Sequence, residues 1–426
     1  MNKVLFRIKS LGAVKNSQLE LKPFMVFSGE SGLGKSYAAF LVHYLYMLLT
    51  SERLNLFFSD YGIDFSSILT EKKKAGDVFL RIPAADLFAW INRDAITYIG
   101  YLIGNENFSG NVAIEFPYAG QFFDFTYDEE MVGLDNHEEL FYKIELDDFT
   151  YRALSRSFQA SPEPFAALTK AVLLDAIWGD HQKLKHCYLM PPSRGALMEL
   201  TERPPFRSGM YEEFFDLKLD LSRPLSKPVE PNAVISECLS EVNRGNLQQV
   251  DGRIVYHTRE GAAMPLTAAA SSVKELAPFT MMLTKFSTKG VSVLFEEPEA
   301  HLHPDKQVKM ADLIACAVNN GCHMQVTTHS DYFIKRMNNL IKLYLLKEKM
   351  EPGAFSDLLN KWEIKEDCLI NPEDVGAFLL KGDGNGSSEI VTQDIATGNE
   401  IPFESFYQVI DEDIQLSAEI RKLLNN

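Results

Sequence analysis

The stretch Phe27-Ser28-Gly29-Glu30-Ser31-Gly32-Leu33-Gly34-Lys35-Ser36 constrains this chain more than any other. It satisfies G-x-x-x-x-G-K-[ST], the pattern of a phosphate-binding loop. Glycines at 29 and 34 let the backbone wrap closely around phosphate oxygens, because no Cβ stands in the way. Successive N–H groups then form an anion-binding concavity, and the following helix aims its positive end at the same place. In that arrangement Gly29, Glu30, Ser31, Gly32, Leu33 and Gly34 surround the phosphates. Lys35 reaches the β- and γ-phosphates, and the Ser36 hydroxyl binds magnesium. The flanks agree: residues 24–27 are a short apolar run of strand type, and Phe40, Leu41, Tyr44, Leu45 and Leu48 recur at helical spacing up to about Thr50. The sequence therefore predicts nucleotide binding by a loop set between strand and helix.

Ahead of the loop, residues 4–9 alternate apolar and polar side chains as a half-buried strand does, Gly12 permits a turn, and 19–21 read as a second short strand. Residues 61–261 read as an insertion dividing a nucleotide-binding core made of 1–60 and 262–426. Within it, 86–103 and 165–178 carry helical patterns, and 188–195 read as a strand entering a tight turn. Residues 112–116 and 122–127, parted by Pro117 to Gly120, predict a β-hairpin to which 143–146 add a strand. The acidic stretch 128–148 reads as a solvent-facing rim, Lys72-Lys73-Lys74 as a solvated loop, and the proline-rich 203–231 as a loop crossing.

The second half of the site is carried by 291–295, a β-branched and aromatic run suited to a strand buried on both faces. It ends in Glu296-Glu297-Pro298-Glu299, and the carboxyl ends of parallel strands are where open α/β sheets bind ligands. There Glu296 would hold magnesium, while Glu297 would orient and deprotonate an attacking water. Residues 324–328 form a further strand ending in His329-Ser330, which places a histidine within reach of the γ-phosphate. Glu299, His301 and His303 have alternate spacing that a metal could share, but no third histidine or cysteine lies nearby, so a packing role for that loop is the expectation.

Leu294 to Pro304, followed by Gln307, resembles the extended Walker B and D-loop of the ABC-class ATPases, in the RecF, SMC and OLD-like branch often labelled AAA-family ATPases. The N-terminal strands, Thr328-His329-Ser330, the strand-turn at 188–195 and the tail from Val375 to Leu424 are similar to the same branch. Ala270 to Leu276 resembles its signature motif, with Val273 where the family has glycine. No glutamine after the loop helix presents itself as the Q-loop residue. The resemblance implies a P-loop, ABC-type α/β head with an antiparallel-β and helical insertion, and hydrolysis of ATP to ADP and phosphate with Mg2+. It also implies a head-to-tail homodimer, in which Ser271 and Ser272 of one protomer face the partner's nucleotide. Proteins of this branch that lack a Toprim nuclease domain are similar to the ATPase subunits of Septu- and PARIS-type antiphage systems, which implies a separate effector nuclease. Asp383 and Asp394 stand apart, so no Toprim metal cluster is expected.

Composition bounds the remaining choices. The 426 residues are 46% hydrophobic and 24% charged, as in ordinary globular chains, and no apolar run reaches the length of a membrane span. Five scattered cysteines without a C-x-x-C pair favour a reducing cytoplasm. A net charge of −17 weighs against broad coating of DNA, though a local basic groove is compatible with it. The sequence thus predicts a cytoplasmic regulatory ATPase. A RecF-like DNA-repair ATPase and a scaffold that binds ATP without hydrolysing it are the alternatives.

Overall fold

The computed structural model describes every residue except 64–75, 135–136, 155–161, 182, 224–231, 251–252, 403 and 425–426. The alternating N-terminal residues become an antiparallel pair, β1 (Leu5–Leu11) and β2 (Val14–Glu20), which turns at Gly12. The apolar run before the phosphate loop is β3 (Phe24–Gly29), buried along its whole length, and it leads through the loop into α1 (Lys35–Thr50). There follow α2 (Leu54–Asp60), β4 (Val78–Pro83), α3 (Ala84–Ile103), β5 (Gly110–Glu115), β6 (Phe122–Leu134), β7 (His137–Leu146), β8 (Phe149–Leu154) and α4 (Glu163–Trp178). Then come β9 (His186–Met190), α5 (Arg194–Glu199), α6 (Gly209–Ser222), α7 (Ala233–Asn243), β10 (Gly245–Val250), β11 (Arg253–Thr258) and β12 (Ala263–Pro265). The C-terminal part holds α8 (Ser271–Lys285), β13 (Val291–Glu296), α9 (Pro304–Asn319), β14 (His323–Thr327), α10 (Asp331–Lys347), α11 (Pro352–Lys361), β15 (Val375–Gly382), β16 (Ser388–Gln393) and α12 (Glu404–Leu424).

A nine-stranded mixed sheet, in the order β5-β1-β2-β16-β15-β3-β14-β13-β9, organises these elements, so the fold is α/β as expected. The run β15-β3-β14-β13-β9 is parallel throughout, while β5, β1 and β2 pair antiparallel at one end. Parallel strands covered on both faces read as unbroken apolar runs, and β3 divides accordingly. Its Met25 and Phe27 enter one hydrophobic core with α1, α3 and α4; its Phe24 and Val26 enter the other with α6 to α11. Among the described residues no helix is long and apolar enough to cross a membrane.

Several sequence expectations change here. The stretches 112–116 and 122–127 do not form a hairpin with each other: β5 pairs with β1 in the main sheet, whereas β6 pairs with β4 and β7 in a separate four-stranded sheet. Both stretches have strand patterning, but only tertiary pairing decides their partners. The insertion expected over 61–261 is likewise interrupted, because β5 and β9 are strands of the main sheet. The acidic rim is mostly two long strands, β6 and β7, with Ile144 and Leu146 of β7 buried. The proline-rich 203–231 holds α6, whose Phe214, Phe215, Leu217 and Leu221 are buried. Lys72-Lys73-Lys74 lies outside the described residues.

One buried cation fastens three of these elements together. Arg194 begins α5 just after Ser193, whose φ of 61° turns the chain out of β9, and its side chain has no exposure. Nη1 donates to the Pro191 carbonyl at 3.1 Å and the Glu296 carbonyl at 3.0 Å; Nη2 donates to the Glu297 carbonyl at 3.2 Å, and Nε to the Glu275 carbonyl at 3.0 Å. The Glu275 carboxylate stands 3.7 Å away, and the guanidinium lies over the Phe295 ring at 4.5 Å. Removing one member of a buried ionic cluster leaves the others unpaired, at a cost of about 3–5 kcal/mol. Arg194→Met should therefore lower unfolding stability by about that amount, with Arg194→Lys intermediate because it lacks the planar fork. Urea unfolding of the purified variants measures it; a loss below about 1 kcal/mol for Met would refute the role.

A second prediction concerns pH. His323 is buried, with Nδ1 3.0 Å from the Tyr46 hydroxyl and its ring against Trp178, and burial pushes its pKa down to about 4. The folded chain thus keeps this imidazole neutral where the unfolded chain takes up a proton, so stability is full above the ordinary value and falls as pH drops from 6.5 towards 4. His323→Gln should flatten that part of the stability–pH curve; an unchanged slope would show that other groups set it.

Candidate nucleotide site

The phosphate loop sits at the carboxyl end of β3, between the strand and the amino end of α1. Its glycines have distinct reasons to be glycine. Gly29 has φ 124°, and a Cβ there would come within 2.5 Å of the Leu380 carbonyl oxygen of β15; the close neighbour is therefore the protein's own backbone. Gly34, at φ 95°, is the N-cap of α1 and packs on Val14, while Gly32, at φ 81°, faces open space. Lys35 Nζ donates to the carbonyls of Gly29 at 3.0 Å and Glu30 at 2.7 Å, which folds the side chain back into the loop. Burial lowers its pKa to about 8, against the raising effect of Glu297, Glu299 and Glu296.

These three carboxylates descend from β13. Glu296 is its last residue, buried, and accepts a hydrogen bond from the Ser36 hydroxyl; burial raises its pKa to about 7. A magnesium ion fits this donor set, since a hydroxyl and a carboxylate supply the hard oxygen ligands it prefers and its charge would offset the cost of burying Glu296. Glu297 adopts φ 46°, which swings its side chain out of the strand line while its N–H donates to the Thr327 carbonyl at 3.0 Å. Its carboxylate is partly exposed and lies 3.9 Å from His329 Nε2. Burial and Lys35 both lower the His329 pKa, which favours a neutral ring. The structure therefore brings Lys35, Ser36, Glu296, Glu297 and His329 together around one loop.

Glu299 has a role the sequence did not disclose. It is buried, and Oε1 accepts from Thr328 Oγ1 at 2.8 Å and from the His329 N–H at 2.7 Å, so it ties the end of β14 to the end of β13. His301 takes φ 58°, and exposed His303 caps α9 through a 3.4 Å contact from the Asp305 N–H to Nδ1. Among the described residues no group of three His, Cys, Asp or Glu side chains is arranged to hold a metal.

Ser271 and Ser272 stand apart from this cluster. They open α8, where neither side chain caps the helix; Ser272 Oγ accepts from Lys306 Nζ at 3.3 Å, and Val273 is buried in the core. Among the described residues no hydrogen bond or ion pair joins either serine to the phosphate loop. The other side of the loop is walled by the C-terminal β15–β16 turn. Ser388 Oγ donates to the Leu33 carbonyl at 2.6 Å, and a cleft of about 690 Å3 runs between Glu30, Ser31 and Gly32 on one side and Lys381, Gly382, Gly384 and Ser387 on the other. The glycine-rich run from Gly382 to Ser388 was the available sequence signal for this wall.

A family model described as "AAA ATPase domain" matches residues 213–334, a span that contains Ser271, Ser272, Glu296, Glu297 and His329 but not the phosphate loop. No curated protein matches the chain significantly. Among solved structures, an SMC head bound to the C-terminal winged-helix domain of ScpA aligns at 12% identity over 93% of this chain and 98% of its own, with a TM-score of 0.39. The SMC head domain of Thermotoga maritima aligns at 10% identity over 92% and 99%, TM-score 0.36, and a Pyrococcus furiosus SMC head with an extended coiled coil, bound to the C-terminal domain of ScpA, at 12% over 98% and 98%, TM-score 0.37. An ATPase domain over residues 213–334, joined through the sheet to an N-terminal phosphate loop, is what the family match and the topology together support.

Proposed function

We propose that this chain binds ATP with magnesium and hydrolyses it to ADP and phosphate. The observation that carries the reading is the convergence of Lys35, Ser36, Glu296, Glu297 and His329 on one loop, from three adjacent parallel strands. Loop N–H groups and the amino end of α1 bind the phosphates, and Lys35 leaves its carbonyl partners to pair with the β- and γ-oxygens. Ser36 and Glu296 would hold a magnesium ion, which would supply charge neutralisation to those oxygens. Glu297, less buried than Glu296, orients a water on the γ side and takes its proton. Neutral His329, whose Nε2 lies 3.9 Å from the Glu297 carboxylate, donates to the γ-phosphate.

The isolation of Ser271 and Ser272 favours a composite site. They lie at the amino end of a 15-residue helix, a good donor surface for phosphate, yet among the described residues no hydrogen bond or ion pair joins them to the loop. A head-to-tail homodimer would bring them to the partner's nucleotide. The motif resemblance extends this to a regulatory ATPase of a bacterial antiphage system, acting on a separate effector nuclease. A RecF-like repair ATPase is the second reading, and the net charge of −17 weighs against it. DNA-stimulated turnover with a steep salt dependence would favour repair, whereas a nuclease that co-purifies would favour defence.

Two substitutions test the site. Glu297→Gln should retain ATP and magnesium while lowering turnover about 100-fold or more, whereas Glu296→Gln should weaken magnesium-dependent binding. Nucleotide binding by fluorescence and phosphate release read the two separately, and normal turnover by Glu297→Gln would remove it as the base. Ser272→Arg tests the composite site. It should leave nucleotide affinity nearly intact and abolish hydrolysis by blocking closure. A folded Ser272→Arg protein with normal ATPase rate would exclude the head-to-tail arrangement without touching the single-chain site.

A further inference from the structure

Helix α12 (Glu404–Leu424) is exposed at every residue from 410 to 424. Scattered apolar residues on a surface are ordinary, but here Ile410, Ile414, Leu416, Ile420, Leu423 and Leu424 crowd fifteen consecutive positions, at 46% to 79% exposure. Ile410, Ile414, Ser417 and Leu424 recur at spacings of four, three and seven, with Ile420 beside them, so they share one face. A shallow groove runs along this face past Ile410, Asp413, Ile414, Ser417 and Arg421. Isolated helices of this size are marginal in water, and an apolar stripe is normally covered.

The charges select the cover. Asp411, Glu412 and Asp413 lie in the first part of the exposed segment, and Arg421 and Lys422 in its last turn. A parallel copy would set acidic against acidic and basic against basic; an antiparallel copy sets each against its opposite. Centring a two-fold axis on Ser417 places Ile410 against Leu424, Ile414 against Ile420, and Asp413 against Arg421, each contact occurring twice. Serine on the axis lets the backbones approach. Among the described residues neither Asp413 nor Arg421 has an ion pair within its own chain. We infer that α12 is a self-association helix, which pairs antiparallel with α12 of a second copy about Ser417. This interface is independent of nucleotide and of the proposed ATP-dependent one.

Light scattering on the full chain without nucleotide, over a micromolar concentration series, tests it. The expected mass is twice the 48.2 kDa of one chain, falling to one in Ile414→Asp with unchanged circular dichroism. Asp413→Arg and Arg421→Asp should each weaken the dimer at least about tenfold, and combining both in one chain should restore it. A monomer at every concentration, including one that associates only with a different protein, would overturn the proposal. A dimer indifferent to Ile414→Asp would overturn it too, and failure of the double charge swap to restore association would overturn the antiparallel pairing.

Discussion

The guanidinium of Arg194 is the interaction on which the site most depends. It sits without exposure where the ends of β9 and β13 meet the first turns of α8, and it is satisfied chiefly by backbone carbonyls rather than by carboxylates. Burial lowers its pKa to about 10, which still leaves it charged at neutral pH. A cation so placed holds the main chain of Glu296 and Glu297 from behind, and their side chains are free to face the phosphate loop. It also couples α8, and with it Ser271 and Ser272, to those two carboxylates through one rigid group. A change at either end therefore has a short mechanical route to the other.

What could be read from the chain alone follows from how strands are buried. β3 and β13 are buried along their length and appear as largely apolar runs, while β14, equally buried, carries His323 and Gln325 among its apolar residues; each is followed by a polar motif. Their pattern made the strands legible, and the polar residues after them marked the candidate site. Partner choice was hidden. β5 and β6 have similar strand patterning, yet one joins β1 and the other β4, because pairing across the fold is decided by packing that no local window contains. The acidic residues of β6 and β7 hid the length of a strand pair whose ends, 122–127 and 143–146, were legible, and the prolines around α6 hid a helix. Arg194 was invisible for a different reason. A lone arginine after a turn reads as surface, and only the left-handed Ser193 directs it inward.

The phosphate loop is also braced by more of the protein than its motif implies. Its glycines answer to the protein as much as to a ligand: Gly29 clears the Leu380 carbonyl, and Leu33 is held by Ser388. Ser28 donates to the Pro402 carbonyl at 3.2 Å, so both ends of the chain contribute to one small region. The cradle is shaped by segments far apart in sequence, and its geometry is a property of the whole sheet.

That arrangement has a consequence for how the molecule is made. β3 is flanked in the sheet by β14 and β15, which emerge from the ribosome only after residues 323 and 375. Until then an apolar strand and much of the apolar surface of α1 lack their final cover on one side. Contacts so distant in sequence form late and slowly, and exposed strand edges invite aggregation. The nascent chain therefore carries its phosphate-loop motif without a completed cradle until β14 and β15 have been synthesised.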